Sequence, residues 1–278
     1  KEIEDMPSTY AHYKFGQEIR HKLTRKEKQI IDEFPDYFNI GLHGPDILFY
    51  YKPLRSNSVN QIGYSTHDKS GLIFFENAAK ILKLHPQDNR YYSYLYGVIC
   101  HFALDTTCHG YIAEKIAKSG ISHTEIEVEF DRALLTADGL NPITQPLTEH
   151  IKTSEEFGDV IHSFFPPVSG AEVTTALKGM IHNNNLLVAP SHFKRSIIYL
   201  ILFLSGNYKE MHGLIVNYHE NPSCRDSTEM LMQLYQKAKI TALALIREYE
   251  YSVNEDIPLN PIYQYNFAGN LIKEEIHS

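Results

Sequence analysis

The sequence predicts an all-α fold, because apolar residues recur at helical spacing over most segments longer than ten residues and strand-like alternation bounded by hairpin turns is scarce. A first helix is expected from about Gln17 to Phe34, stopped by Pro35, and another over about Gly71 to Leu84 before Pro86. Between them, Gly41-Leu42-His43-Gly44-Pro45-Asp46 reads as a turn that is not helical throughout. Asp88 is placed to cap a long apolar and aromatic helix running through Tyr91, Leu95, Val98 and Phe102 to about Lys118, ended by Gly120. Ser122-His123-Thr124-Glu125 has the form of a capping box opening a helix to about Ala137.

The second half repeats the pattern, with helices near 154–165, 171–183 and 191–205 and a long one from about Asp226 to Glu250, punctuated by Pro166-Pro167 and Asn221-Pro222. The run Ile197–Leu204 is far shorter than the roughly 20 residues of a membrane span and reads as a buried core helix. After Ser252, Pro258 and Pro261 predict an irregular surface path. With no internal repeat or low-complexity linker, residues 1–278 are expected to form one globular multi-helix domain, with 1–6 an extension.

Composition narrows the function. Hydrophobic residues at 43% and charged residues at 22% are the mix of a folded chain. A formal charge of -8 argues against a broadly basic surface, so no stable nucleic-acid complex is expected, while bound divalent cations would offset part of the charge. Three cysteines without C-x-x-C spacing exclude a thiolate zinc knuckle. The start lacks a secretory pattern, which leaves a cytoplasmic protein and a mature secreted form both open. Nine of the fifteen histidines lie in the first 150 residues, which places the expected metal site between helices of the N-terminal half.

Two ladders carry the chemistry. His101-x3-Asp105-x3-His109 projects three metal-competent side chains from one helix face, because steps of four advance about 400°. Thirteen residues later, His123-x3-Glu127-x3-Asp131 repeats the arrangement. Nitrogen and oxygen donors without thiolate suit catalytic zinc, and a carboxylate between two histidine sets, as Asp105 is, can bridge ions about 3.5 to 4 Å apart, a separation suited to displacement at phosphorus. For His109, His123 and Glu127 to meet, the first helix is expected to break early, at Gly110, or the two helices to cross steeply.

These residues resemble the bacterial zinc-dependent phospholipases C. The string His101, Asp105, His109, His123 and Glu127 is similar to that family's, with the Asp105-to-His109 gap two residues shorter. Upstream, His12 in Thr9-Tyr10-Ala11-His12-Tyr13, Asp46 in His43-Gly44-Pro45-Asp46 and His67 in Ser65-Thr66-His67-Asp68 follow the family's order. The resemblance covers about residues 7–131. It implies two or three zinc ions: one held by Asp46, His67, His101 and Asp105, one by His109, His123 and Glu127, and a third by His12 with bridging Asp105. It implies Asp46 as the base orienting the attacking water, and a phosphodiester substrate, with a phospholipid head group and transient contact with a membrane surface.

In the family a mature N-terminal tryptophan is also a ligand. This chain has no Trp, and the amine of Pro7 is the candidate substitute. Phe49, Tyr50, Tyr51 and Tyr64 lie close in sequence to these ligands, as pocket lining or as ordinary packing. His43 is a ligand or orients Asp46. Single-strand zinc nucleases resemble the same ligand order and are the alternative enzyme. The His67-Asp68 doublet raises an HD-type phosphohydrolase, and a metal-binding protein without turnover is the non-enzymatic alternative.

Overall fold

The structure, a computed structural model, describes residues 8–53, 55–206 and 208–272. Residues 1–6 and the Pro7 amine lie outside the described residues. The chain is all-helical: among the described residues, extended pairing is limited to an isolated bridge between Tyr265 and Leu271.

Where one helix is expected over 17–34, there are two, α1 (Thr9–Arg20) and α2 (Arg25–Glu33). Thr24 in the extended region restarts the chain. Pro35 does more than stop α2, since it opens α3 (Pro35–Gly41) from a first-turn position, where its missing N–H costs nothing. A 3-10 turn over Gly44–Tyr50 then leads to α4 (Ser58–Asp68), capped by Asn57, and α5 (Gly71–Leu84), which has the expected bounds.

The central element is α6 (Asn89–Ser119), capped by Asp88 and buried along most of its first half. It runs through Gly110 without interruption, so the expected early break is absent. Gly120, at φ 70°, reverses the chain, and Ser122 in the extended region leads into α7 (His123–Ala137). From His109 to Ser119 the helix rises about 15 Å, and the four links from Ser119 to His123 span up to about 14 Å, so an extended return brings His123 back beside His109. Ser122 accepts the Glu125 N–H as expected, but the Glu125 carboxylate takes the Asn221 side-chain amide instead of closing a reciprocal box.

The remaining helices are α8 (Glu155–Ile161), α9 (Gly170–Leu187), α10 (His192–Leu204), α11 (Tyr208–Met211) and α12 (Arg225–Asn254). The principal core runs from Tyr10 to Phe267 in sequence, with α3 and α12 packed along α6. Gly41 and Gly97 let α3 approach α6 at backbone distance: a Cβ on Gly97 would lie 2.4 Å from the Phe38 carbonyl oxygen.

Two expectations fail. The α10 run is not a buried core helix: Ile197, Leu200, Ile201, Phe203 and Leu204 are exposed, while Arg195, Ile198 and Leu202 are buried and, with half-buried Tyr199, turn toward a small separate cluster that includes Ala189 and Ile215. Nor does the tail stay on the surface, because Tyr263 and Phe267 are fully buried against Phe102. Their aromatic bulk outweighs the irregular backbone around Pro258 and Pro261.

Candidate metal centre

Three groups of side chains with ligand atoms within 4.8 Å of one another lie at the heart of this bundle: His12, His101 and Asp105; Asp46, His67 and His101; and His109, His123 and Glu127. Together they comprise the eight residues singled out from the sequence, and among the described residues no other His, Cys, Asp or Glu joins such a group. Residues from α1, the 3-10 turn, α4, α6 and α7 thus converge on one region.

The period of α6 sets the first two groups. His101 and Asp105, one turn apart, bring Nε2 and Oδ2 to 3.1 Å, while Oδ1 of the same carboxylate faces His12 Nε2 at 3.2 Å. Asp105 therefore offers its two oxygens to two different histidines. Asp46 meets His67 Nε2 through Oδ1 at 2.8 Å and lies 3.6 Å from His101 Nε2 through Oδ2. Gly44, at φ 44°, is what lets the turn approach: a Cβ there would meet the His101 ring at 2.6 Å. Beyond, Glu127 Oε1 lies 3.5 Å from His109 Nε2 and 3.2 Å from His123 Nε2.

Backbone carbonyls fix three imidazoles. Nδ1 of His67 donates to Gly63 O, that of His101 to Leu42 O and that of His109 to Phe267 O, at 2.8, 3.2 and 3.0 Å. A carbonyl can only accept, so Nδ1 carries a proton and Nε2 is turned to the cavity, where a metal ion would take the place of any second proton. The chemistry of the donor set fits zinc. Asp46 Oδ2, His101 Nε2 and Glu127 Oε2 are buried without a hydrogen-bond partner, although carboxylates and imidazoles stand within a few ångströms. Unpaired buried polar atoms of this kind are costly, and a cation in the group of Asp46 and His101 and another in that of Glu127 would satisfy them.

Electrostatics agree. Burial alone would lower the His12 and His67 pKa values, but Asp105 acting on His12 and Asp46 acting on His67 outweigh it, and His67 is raised to about 9. Burial would raise the carboxylates, yet the surrounding histidines hold Asp105 well below its usual range and Glu127 at about 2. Three buried carboxylates attract positive charge, which divalent ions supply compactly.

Other sequence candidates fall elsewhere. Asp131 leaves the ladder: it accepts the Ser8 hydroxyl and the Tyr10 and Ala11 N–H groups, at 3.0 and 2.8 Å for the latter two, and so caps α1 from another helix. His43 joins no metal group and pairs Nε2 to Nε2 with His150 at 2.8 Å, while His150 stacks on Tyr13. Burial, with neighbouring His150, His12 and His101, drives His43 well below its ordinary pKa, and burial brings His150 to about 3. Nothing in the spacing of the sequence signalled that pair. Asp68 is exposed and, among the described residues, joins none of these groups, so the geometry lends the His67-Asp68 doublet no support. Phe49 is buried and stacked on Tyr64 at 4.5 Å, whereas Tyr50, bonded to Asn184, lines a cavity that also exposes Glu127, Asp131 and Arg195.

Fold and site together define an all-helical protein with a candidate multinuclear metal centre of histidines and carboxylates. The profile of the family described as zinc dependent phospholipase C matches residues 11–166, more than half of the chain, and the protein belongs to that family. No curated protein and no solved structure matches it. Among the described residues, no helix is long and apolar enough to cross a membrane.

Proposed function

We propose that the protein hydrolyses a phosphodiester in the manner of a phospholipase C, with two or three zinc ions held by the eight converging side chains. Asp46, His67, His101 and Asp105 take one ion, His109, His123 and Glu127 a second, and His12 with Asp105 a third. The observation that carries this reading is the division of the Asp105 carboxylate, whose oxygens face His12 and His101 separately, the disposition of a bridging ligand.

Zinc, when bound, supplies Lewis acidity that brings the pKa of water towards neutrality and offsets charge on phosphoryl oxygens. The chain's own residues do the rest. Asp46 presents Oδ2, unpartnered and buried, as acceptor for the proton of the attacking water, while Oδ1 is held by His67. His109 and His123 are the more open members of the site and mark the side from which substrate enters. The family supports a phospholipid as the ester cleaved, which entails contact with a lipid surface.

Asp105→Ala and His101→Ala test the reading through metal content and through hydrolysis of bis(p-nitrophenyl) phosphate, phosphatidylcholine and single-stranded DNA. Both variants should lose bound zinc and all activity. An active, metal-free Asp105→Ala protein would end the proposal, and wild-type activity confined to DNA would move it to the nucleases.

A further inference from the structure

Helix α10 carries two apolar faces where a globular helix needs one. Its inward side, Arg195, Ile198 and Leu202, rests on Ala189 and Ile215. Arg195 fastens it there, donating to the Ala189 and Val216 carbonyls and lying over the Tyr218 ring at 3.8 Å. Phe193, Ile197, Leu200, Ile201 and Leu204 recur at spacings of four, three, one and three, which gathers them into one outward stripe, and each is between 43% and 77% exposed. A continuous apolar stripe of this kind is the mark of an interaction surface rather than of scattered exposure.

Charge indicates what covers it. The chain is acidic overall, yet between Glu172 and Glu210 it has no carboxylate, while Lys178, exposed on α9, and Lys194 on α10 fall in that interval. A surface rich in phosphate matches such a segment, since carboxylates would be repelled and cations held at its level. The inward side of the same helix reaches the site. Arg195, together with Val188, Ala189 and Val216, walls the cavity that exposes Glu127 of the metal centre. Its 13 residues make a helix of about 20 Å, too short to span a bilayer and suited to lying in its plane.

We propose that the outward stripe of α10 is a docking surface for a phospholipid bilayer, holding the protein to the lipid through a helix whose inward side walls the cavity. The consequence for turnover rests on the phospholipase reading above; docking itself requires no catalysis. The test pairs Leu200→Glu with Ile201→Glu in one double variant, at exposed positions outside the site. Flotation with phosphatidylcholine vesicles containing phosphatidylglycerol, sedimentation velocity, and hydrolysis of vesicle lipid and of bis(p-nitrophenyl) phosphate are compared with wild type.

Wild type should float with the vesicles, and the double variant should lose binding by about tenfold or more, as expected when two inserted apolar side chains become charged. Vesicle-lipid hydrolysis should fall with it and bis(p-nitrophenyl) phosphate hydrolysis stay unchanged. Wild type that does not float, or a double variant that floats as well, overturns the proposal. So does a wild-type dimer that the double variant dissolves without loss of vesicle binding, which would assign the stripe to a second copy. If binding responds as expected but no phosphoester is ever cleaved, the docking surface stands and the proposed activity falls.

Discussion

Gly97→Ala and Gly110→Ala place the same methyl group on the same helix with opposite expected signs. At position 97 the new Cβ would lie 2.4 Å from the Phe38 carbonyl oxygen and 2.7 Å from the Gly41 carbonyl carbon, both backbone atoms of α3. Neither atom can swing aside, so α3 must withdraw by about 1 Å to restore normal contact. Overpacking of this sort costs about 1–3 kcal/mol. Alanine returns about 0.5–1 kcal/mol through its better helix propensity, leaving a net loss of about 1–2 kcal/mol. At position 110 a Cβ meets nothing within 4 Å, so only the propensity gain remains.

The propensity gain is common to both, so the pair should diverge by about 1–3 kcal/mol in urea unfolding followed by circular dichroism in the presence of chelator. Gly97→Ala should also weaken zinc binding by about tenfold in competition with a chromophoric chelator. Withdrawal of α3 moves Leu42, whose carbonyl orients His101, and the turn that delivers Asp46. A Gly97→Ala protein with wild-type stability and zinc affinity would refute the packing argument. Loss of stability in Gly110→Ala would refute the continuous course of α6.

Chelator added to zinc-loaded protein should lower Tm, because ions that bind only the folded chain stabilise it by mass action; an unchanged Tm in a calorimetric scan would count against tight binding. Phe267→Ala should cost about 3–5 kcal/mol in denaturant unfolding, since the ring is fully buried against His67, His101 and Phe102; a loss under about 1 kcal/mol would show that the tail is not part of the core. Burial raises the Asp131 pKa to about 6 despite its three hydrogen bonds. The folded value lies above the ordinary 3.8, so stability is fully present below pH 3.8 and declines as pH rises to 6, by about 3 kcal/mol. Asp131→Asn should lack that decline, and parallel pH profiles for the two proteins would contradict it.

The ladders on α6 and α7 were legible because ligands four apart on an apolar helix obey the helical period whatever the rest of the chain does. Gly120 and Ser122 were legible as stop and start for the same local reason. The meeting of His109 with His123 was not, since it depends on a short return that starts from Gly120 at positive φ; of the two expectations, a break at Gly110 or a steep crossing, the break is absent. Asp131 looked like a third rung until α1 arrived beside it, and no spacing rule links a carboxylate to the first turn of a helix more than a hundred residues earlier. For α10, hydropathy registered apolar residues on two sides of the helix but said nothing of how many of those sides would find a partner.

The hydrogen bond from His109 to the Phe267 carbonyl joins residues 158 positions apart. All eight candidate ligands lie at or before Glu127, yet the oxygen that sets the tautomer of His109 comes far later in the chain, at Phe267. The carbonyls that orient His67 and His101 precede those histidines in the chain, so His109 alone among the three depends on a segment so far downstream. The group of His109, His123 and Glu127 therefore joins two neighbouring helices to a distant segment through that one carbonyl.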